Sequence, residues 1–230
     1  MRILLVAADP REFSGMLSLT SDHGPVPLGI DWGRCVRLGS HDALLIANGA
    51  GGRRAAAAVD VAAEFAPDAI ISTGFCGALD ESLDIADIVV ATSVDDGRRQ
   101  FAALPATGRF ETFSGPVRSM EHVVVDADEK HLLYESGACA VEMEAGGVAA
   151  RAFHHQLPFY CVRAVTDLAY ESLANDFNRA LRPDGHFATM SILLGALRSP
   201  AVRLPELLRL RSRSIQAARA LGEFFADCRL

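Results

Sequence analysis

Ala138-Cys139-Ala140-Val141-Glu142-Met143-Glu144-Ala145, continued through a small-residue stretch to Pro158-Phe159-Tyr160-Cys161-Val162-Arg163-Ala164-Val165, reads as strand, helix and strand in quick succession. The apolar runs Ala138 to Val141 and Phe159 to Val165 flank a helical pattern from Glu144 to Gln156. Neither run alternates apolar with polar residues, as expected of strands covered on both faces. Working outward, runs of the same kind recur at Ile3 to Ala8, Ala43 to Asn48, Ala69 to Thr73 and Ile88 to Ser93. Helical patterns lie at Arg53 to Phe65, Asp128 to Ser136 and Phe177 to Leu197, with Pro67 closing the first and Asp126 or Asp128 capping the second. The rhythm is βαβ, so the fold class is α/β with a doubly wound or related mixed sheet. Asp95 to Gly115 and Pro25 to Arg37 read as long excursions or protruding hairpins.

A chain of 230 residues, 50% of them hydrophobic, buries one sizeable core and is short for two. Its formal charge of -7 offers no overall attraction to phosphate backbones, so no nucleic-acid partner is expected and a small neutral or cationic ligand fits better. Five widely spaced cysteines, Cys35, Cys76, Cys139, Cys161 and Cys228, read as reduced structural thiols, and no Cys/His spacing suits a metal. The opening Met1-Arg2-Ile3-Leu4-Leu5-Val6 meets Asp9 and Arg11 too soon for a signal peptide, and no run approaches the roughly 18 apolar residues of a membrane span. A cytoplasmic protein with no metal and no cofactor is expected.

In such sheets a ligand lies beyond the carboxyl ends of the strands. Of the segments found there, 9–12, 49–52, 74–77, 142–144 and position 167, three carry carboxylates: Asp9 and Glu12, Glu142 and Glu144, and Asp167. Paired carboxylates are what glycosidic cleavage needs, one as acid for the leaving group and one to activate water across the sugar. Plainer roles exist for each: Glu142 and Glu144 as strand end and helix cap, Asp167 as cap of a turn, Glu12 as an acidic first helical turn. Gly49, Gly51 and Gly52 read as a tight turn rather than a phosphate cradle, and the His154–His155 pair as a solvated helix end.

The Ala140-Val141-Glu142-Met143-Glu144-Ala145 box entering a small-residue helix resembles the nucleoside phosphorylase and nucleosidase superfamily, and most of all the methylthioadenosine/S-adenosylhomocysteine nucleosidases. Asn48-Gly49-Ala50-Gly51-Gly52, Pro67 through Gly74, and Pro158-Phe159 through Val162-Arg163-Ala164-Val165-Thr166-Asp167-Leu168-Ala169 agree in order and spacing. The resemblance implies a three-layer fold with a central mixed, partly barrel-like sheet flanked by helices. It implies a purine nucleoside N-ribosyl hydrolase releasing adenine from a 5′-substituted adenosine such as methylthioadenosine, S-adenosylhomocysteine or an adenosyl-lipid. Glu12 would activate water and Asp167 protonate the base; Glu144, with Met143 and Glu142 beside it, would hold the ribose; Phe75, Val123, Val124 and Thr166 fall around the base.

The sequence departs from the pattern at informative places. Glu12 stands where related hexameric phosphorylases keep an arginine, and a carboxylate aimed at phosphate repels it, which favours water as the second substrate. Arg11, one residue away, keeps a phosphate-dependent phosphorylase as the alternative, and a nucleoside-binding protein without turnover is the alternative outside enzymes. Phe75 replaces a serine near the sugar, and Val123 a phenylalanine that stacks on adenine, so the base platform differs.

Residues 176–185 and 196–200 resemble hopanoid-associated phosphorylases, thought to remove adenine from an adenosyl hopane. A catalytic domain is therefore expected over residues 1–200, and residues 201–230 as an amphipathic C-terminal helix packed on that domain or on a partner. Its apolar side carries Leu204, Leu208, Ile215 and Phe225; Arg211 interrupts the stripe, and its arginines leave peripheral membrane contact open. A homodimer or larger homo-oligomer is expected.

Overall fold

The computed structural model describes residues 1–26 and 29–230. In chain order the elements are β1 (Arg2–Ala7), α1 (Ser14–Leu19), β2 (Ser21–Pro25), β3 (Trp32–Leu38), β4 (His41–Ala47), α2 (Gly52–Val61), β5 (Ala69–Ala78), β6 (Ile88–Asp95), β7 (Gln100–Ala102), β8 (Phe113–Ser119), α3 (Ala127–Glu135), β9 (Ala140–Glu142), α4 (Ala145–His154), β10 (Phe159–Asp167), α5 (Phe177–Ala180), α6 (Thr189–Ala196) and α7 (Pro200–Asp227). A 3-10 turn, Pro10–Phe13, joins β1 to α1.

One sheet runs β10-β6-β8-β9-β5-β1-β4-β3-β2, and β10 also pairs with β5. That second pairing closes β10, β6, β8, β9 and β5 into a five-stranded barrel, from which β1, β4, β3 and β2 extend as an open wing. The expected mixed, partly barrel-like sheet is what the chain forms. Alternate residues of each strand serve two cores: Leu4, Val6, Leu44, Ile46 and Ile70 meet α2 and α4, while Ile3, Leu5, Leu45 and Ile71 meet α1 and α7. Each such buried aliphatic side chain contributes about 2 kcal/mol. A one-residue slip would exchange the two sets, so register is held from both faces.

Local sequence differs from the expectations in identifiable places. The helix expected over Phe177 to Leu197 is broken: Pro183 and Gly185 turn the chain between α5 and α6, and Leu181 bridges Phe187. The Asp95 to Gly115 excursion starts as the β6–β7 hairpin but also holds the first residues of β8, a barrel strand whose Gly115 and Pro116 disguise it. Its ladder with β6 shifts between Ala91 and Ser93, opposite Gly115 and Pro116, where proline has no N–H to give. The Pro25 to Arg37 excursion lies on the β2–β3 hairpin, and its residues 27 and 28 lie outside those described. The five cysteines are free thiols. Among the described residues no helix is long and apolar enough to cross a membrane.

Candidate active site

The ends of β1, β5, β9 and β10 meet at one rim, and a cavity of about 750 Å³ opens there. Glu12, Glu142, Met143, Glu144, Thr166 and Asp167 line it, and so do Phe75, Val123 and Val124. All nine residues singled out from the sequence therefore share one cavity.

Glu12 arrives on the 3-10 turn after β1. Asp9 and Glu12 form a reciprocal capping box, so the plain structural role expected for an acid in a first turn is present. The carboxylate nevertheless faces the site: Oε2 accepts from the N–H groups of Ala8 and Asp9, both at 2.8 Å, and Oε1 from Phe75 N–H at 2.7 Å. Burial raises its pKa, opposed by those main-chain donors and by the charge of Arg163. Gly74, at φ +128°, makes the approach feasible: a Cβ there would lie 2.4 Å from Glu12 Oε1.

Glu142 and Glu144 straddle the entry to α4, with different partners. Glu142 Oε2 accepts from the N–H groups of Glu144 and Ala145, each at 2.8 Å, and pairs with the guanidinium of Arg163. Glu142 thus closes a helix N-terminus and neutralises a buried cation. Glu144 Oε1 accepts from Gly51 N–H at 3.0 Å, and its Oε2 lies 3.5 Å from Arg163. Burial, then the neighbouring charge of Glu142, push its carboxyl up to about 7, with Arg163 holding it back. Arg163 also donates to Ser72 Oγ at 2.6 Å and Thr73 O at 2.9 Å, so one fully buried arginine in the middle of β10 ties β5, β9 and the head of α4 together.

Asp167 ends β10. Its Oδ2 lies 2.5 Å from Nζ of Lys130, a fully buried lysine on α3 that also donates to Leu168 O at 2.8 Å. Thr166 Oγ1 reaches Asp167 Oδ1 at 3.2 Å. Burial raises the Asp167 pKa, and Lys130 and Thr166 oppose it. Gly77 leaves the space Asp167 occupies, since a Cβ on it would sit 2.8 Å from Oδ2. Lys130 and Arg163 are the buried cations that hold these carboxylates, and neither was assigned a role from sequence. An arginine inside the apolar run 159–165 was a readable signal, because a buried guanidinium demands carboxylates; a lysine in a polar helical stretch carries none.

The model of the phosphorylase superfamily matches residues 2–110 and 103–183, the span that supplies every group just described. The chain belongs to the phosphorylase superfamily. By sequence this superfamily member is similar to the 5′-methylthioadenosine/S-adenosylhomocysteine nucleosidase of Staphylococcus aureus, 30% identical over 138 residues, 46% of this chain and 59% of that protein. It thus matches less than two thirds of that relative's length. Its fold is that of the 5′-methylthioadenosine/S-adenosylhomocysteine nucleosidase of Neisseria meningitidis in complex with methylthio-immucillin-A (TM-score 0.70, 18% identity, 98% of each chain). The futalosine hydrolase of Helicobacter pylori is as similar in fold (TM-score 0.70, 14% identity, 97% of each chain).

Two features bear on what this phosphorylase-superfamily chain accepts. Arg11 lines the cavity but is clasped by Asp9 through Nε at 2.8 Å and Nη2 at 2.7 Å, and its side chain is 84% exposed. Beyond the carboxylates the cavity continues between α5, α6 and α7, where Leu173, Phe177, Phe187, Ile192, Leu207 and Leu210 line it. Glu206 of α7 accepts from the N–H groups of Ala174 and Asn175 at 2.7 and 2.9 Å, and Arg213 of α7 pairs with Glu171 at 2.5 Å, so α7 holds the loop that follows Asp167.

Proposed function

We propose that the protein hydrolyses the N-glycosidic bond of a 5′-substituted adenosine, releasing adenine and leaving the 5-substituted ribose. The observation that carries this reading is the convergence of Glu12, Glu144 and Asp167, from three different elements, on one cavity. As the bond between C1′ and N9 breaks, its electron pair goes to the purine, and Asp167 supplies a proton to N7. Burial favours the protonated carboxyl, Lys130 and Thr166 oppose it, and Lys130 would pair with the carboxylate left when the proton departs. Water adds to C1′ on the opposite face and gives a proton to Glu12. Glu144 accepts from the ribose hydroxyls, more strongly as positive charge grows on the ring, with Met143 against the sugar and Glu142 holding the geometry through Arg163. Thr166, Phe75, Val123 and Val124 surround the base.

Water is favoured over phosphate by the cations. A dianion needs arginines or lysines converging beside the sugar. Arg11 lines the cavity but is committed to Asp9, Arg163 is committed to Glu142, and Arg211 lines the cavity from α7. The apolar end, which starts where a ribose held by Glu144 would present its 5′ carbon, supports a large apolar 5′ substituent. A series of 5′-alkylthioadenosines tests this, with free adenine followed by chromatography. We expect kcat/KM to rise with chain length, about threefold to fourfold per added methylene at 0.8 kcal/mol each, until the cavity is filled. Faster cleavage of adenosine and methylthioadenosine than of any long-chain member would overturn it.

A further inference from the structure

The outer face of α6 and α7 is apolar, and nothing in the fold covers it. Met190, Leu194, Leu197, Val202, Leu208 and Ile215 are each 59–67% exposed. On α6 the positions 190, 193, 194 and 197 form one helical stripe, and on α7 Leu208 and Ile215, two turns apart, share a face. The two helices pack together, Arg203 of α7 donating to Gly195 O of α6 at 3.0 Å. Leu193, Arg211 and Ile215 are exposed and also line the cavity, which makes them its rim. Patches of this kind mark binding surfaces rather than ordinary monomer surface.

Charge selects the occupant. The chain carries -7 overall, yet from Thr189 to Ser214 it holds five arginines and one carboxylate, Glu206, which is buried on main-chain N–H groups. Arg213 is paired with Glu171, and Arg203 with a carbonyl, which leaves Arg198, Arg209 and Arg211 exposed around the apolar stripe. A second copy packed on this face about a two-fold axis would oppose the patch to itself, arginine toward arginine, and Glu171, the carboxylate whose charge meets Arg209, is already paired with Arg213. An anionic bilayer answers both features: leucines and methionine enter the interface, and guanidinium groups meet lipid phosphates.

We propose that α6 and the first half of α7 dock the protein on anionic membrane surfaces, with the cavity rim facing the bilayer. Flotation of the full chain with vesicles of equimolar phosphatidylglycerol and phosphatidylcholine tests this. The protein is expected to float with these vesicles, to be released by high salt, and to stay behind with phosphatidylcholine alone. Arg198→Gln/Arg209→Gln is expected to weaken binding about 25-fold, about fivefold for each basic residue lost at an anionic surface. Leu194→Glu/Leu197→Glu is expected to weaken it more than tenfold; neither pair lines the cavity, so both variants should keep the wild-type rate on soluble methylthioadenosine. Failure of the folded wild type to bind, or binding indifferent to both variants, overturns the proposal. Conversion of a wild-type dimer to monomer by Leu194→Glu/Leu197→Glu, read by sedimentation without lipid, would assign the face to a second copy instead. Vesicle binding without base release from any nucleoside would contradict the proposed function and leave the docking surface standing.

Discussion

At the scale of single residues the site is an arrangement of buried charges whose cost is met by neighbours. Asp167 is held by Lys130, Glu142 by Arg163 and two helix N–H groups, and Glu12 by three main-chain donors. In the proposed mechanism the proton on Asp167 is essential and its shape is not. Asp167→Asn is therefore expected to lower kcat by about 10²–10⁴ on protein that is still folded, and to lower the urea midpoint as well, because it leaves the buried Lys130 without its carboxylate; a fully active variant would remove Asp167 from the chemistry. Glu144 makes a different prediction. Its folded pKa of about 7 lies above the ordinary value of 4.5, so the folded protein keeps a proton that the unfolded chain has released between those two values. Its contribution to stability is present below that window and is lost as pH rises through it, with Glu12 and Asp167 acting in the same direction. Urea titrations at about pH 5 and about pH 8 should show a smaller loss for Glu144→Gln than for wild type, and an equal loss would contradict the assignment. Glu142, Glu144 and Asp167 were legible in the sequence because they lie at or just past the end of an apolar strand, and Glu12 because it lies in the turn that follows one. Lys130 was not, since its stretch, Asp128-Glu129-Lys130-His131, looks solvated and only tertiary packing turns that one side chain inward.

At the scale of elements, what the sequence revealed follows from where side-chain pattern alone decides. β1, β4, β6, β9 and β10 are apolar on both faces and were found to within two residues of their ends, whereas β5, expected over Ala69 to Thr73, runs on to Ala78 through Gly74 and Gly77. β8 was missed because Gly115 and Pro116 are poor strand residues that the barrel tolerates at a shifted register, and β3 because Arg34 and Arg37 interrupt its apolar residues. The broken helix over Phe177 to Leu197 carried its own warning in Pro183 and Gly185. The placement of α7 is a tertiary property: its C-terminal half is buried in the core through Ala217, Leu221, Phe224 and Phe225, while Glu206 near its start anchors the loop after Asp167. Removing that carboxylate should leave two buried N–H groups without a partner. Glu206→Ala is expected to cost about 2–3 kcal/mol of unfolding free energy and to raise KM for long-chain 5′-alkylthioadenosines more than for methylthioadenosine. A variant with unchanged stability and equal effects on both substrates would mean that α7 does not organise the apolar end of the cavity.

At the scale of the whole molecule, one sheet closed on itself gathers the ends of four strands at a single rim, and one cavity unites Asp167, Glu12 and Glu144, the acid, water-activating carboxylate and ribose acceptor of the proposed mechanism. Superfamily membership leaves two second substrates to choose between, and the choice rests on charge: a carboxylate at position 12, Arg11 clasped by Asp9, and Arg163 neutralised by Glu142. The most direct measurement is base release from methylthioadenosine and a long-chain 5′-alkylthioadenosine by the purified protein, in buffer rigorously freed of phosphate and again with phosphate added. Adenine released at the same rate in both, with free 5-substituted ribose as the other product, is the expected result; release that requires phosphate and yields the ribose 1-phosphate would contradict the hydrolytic account.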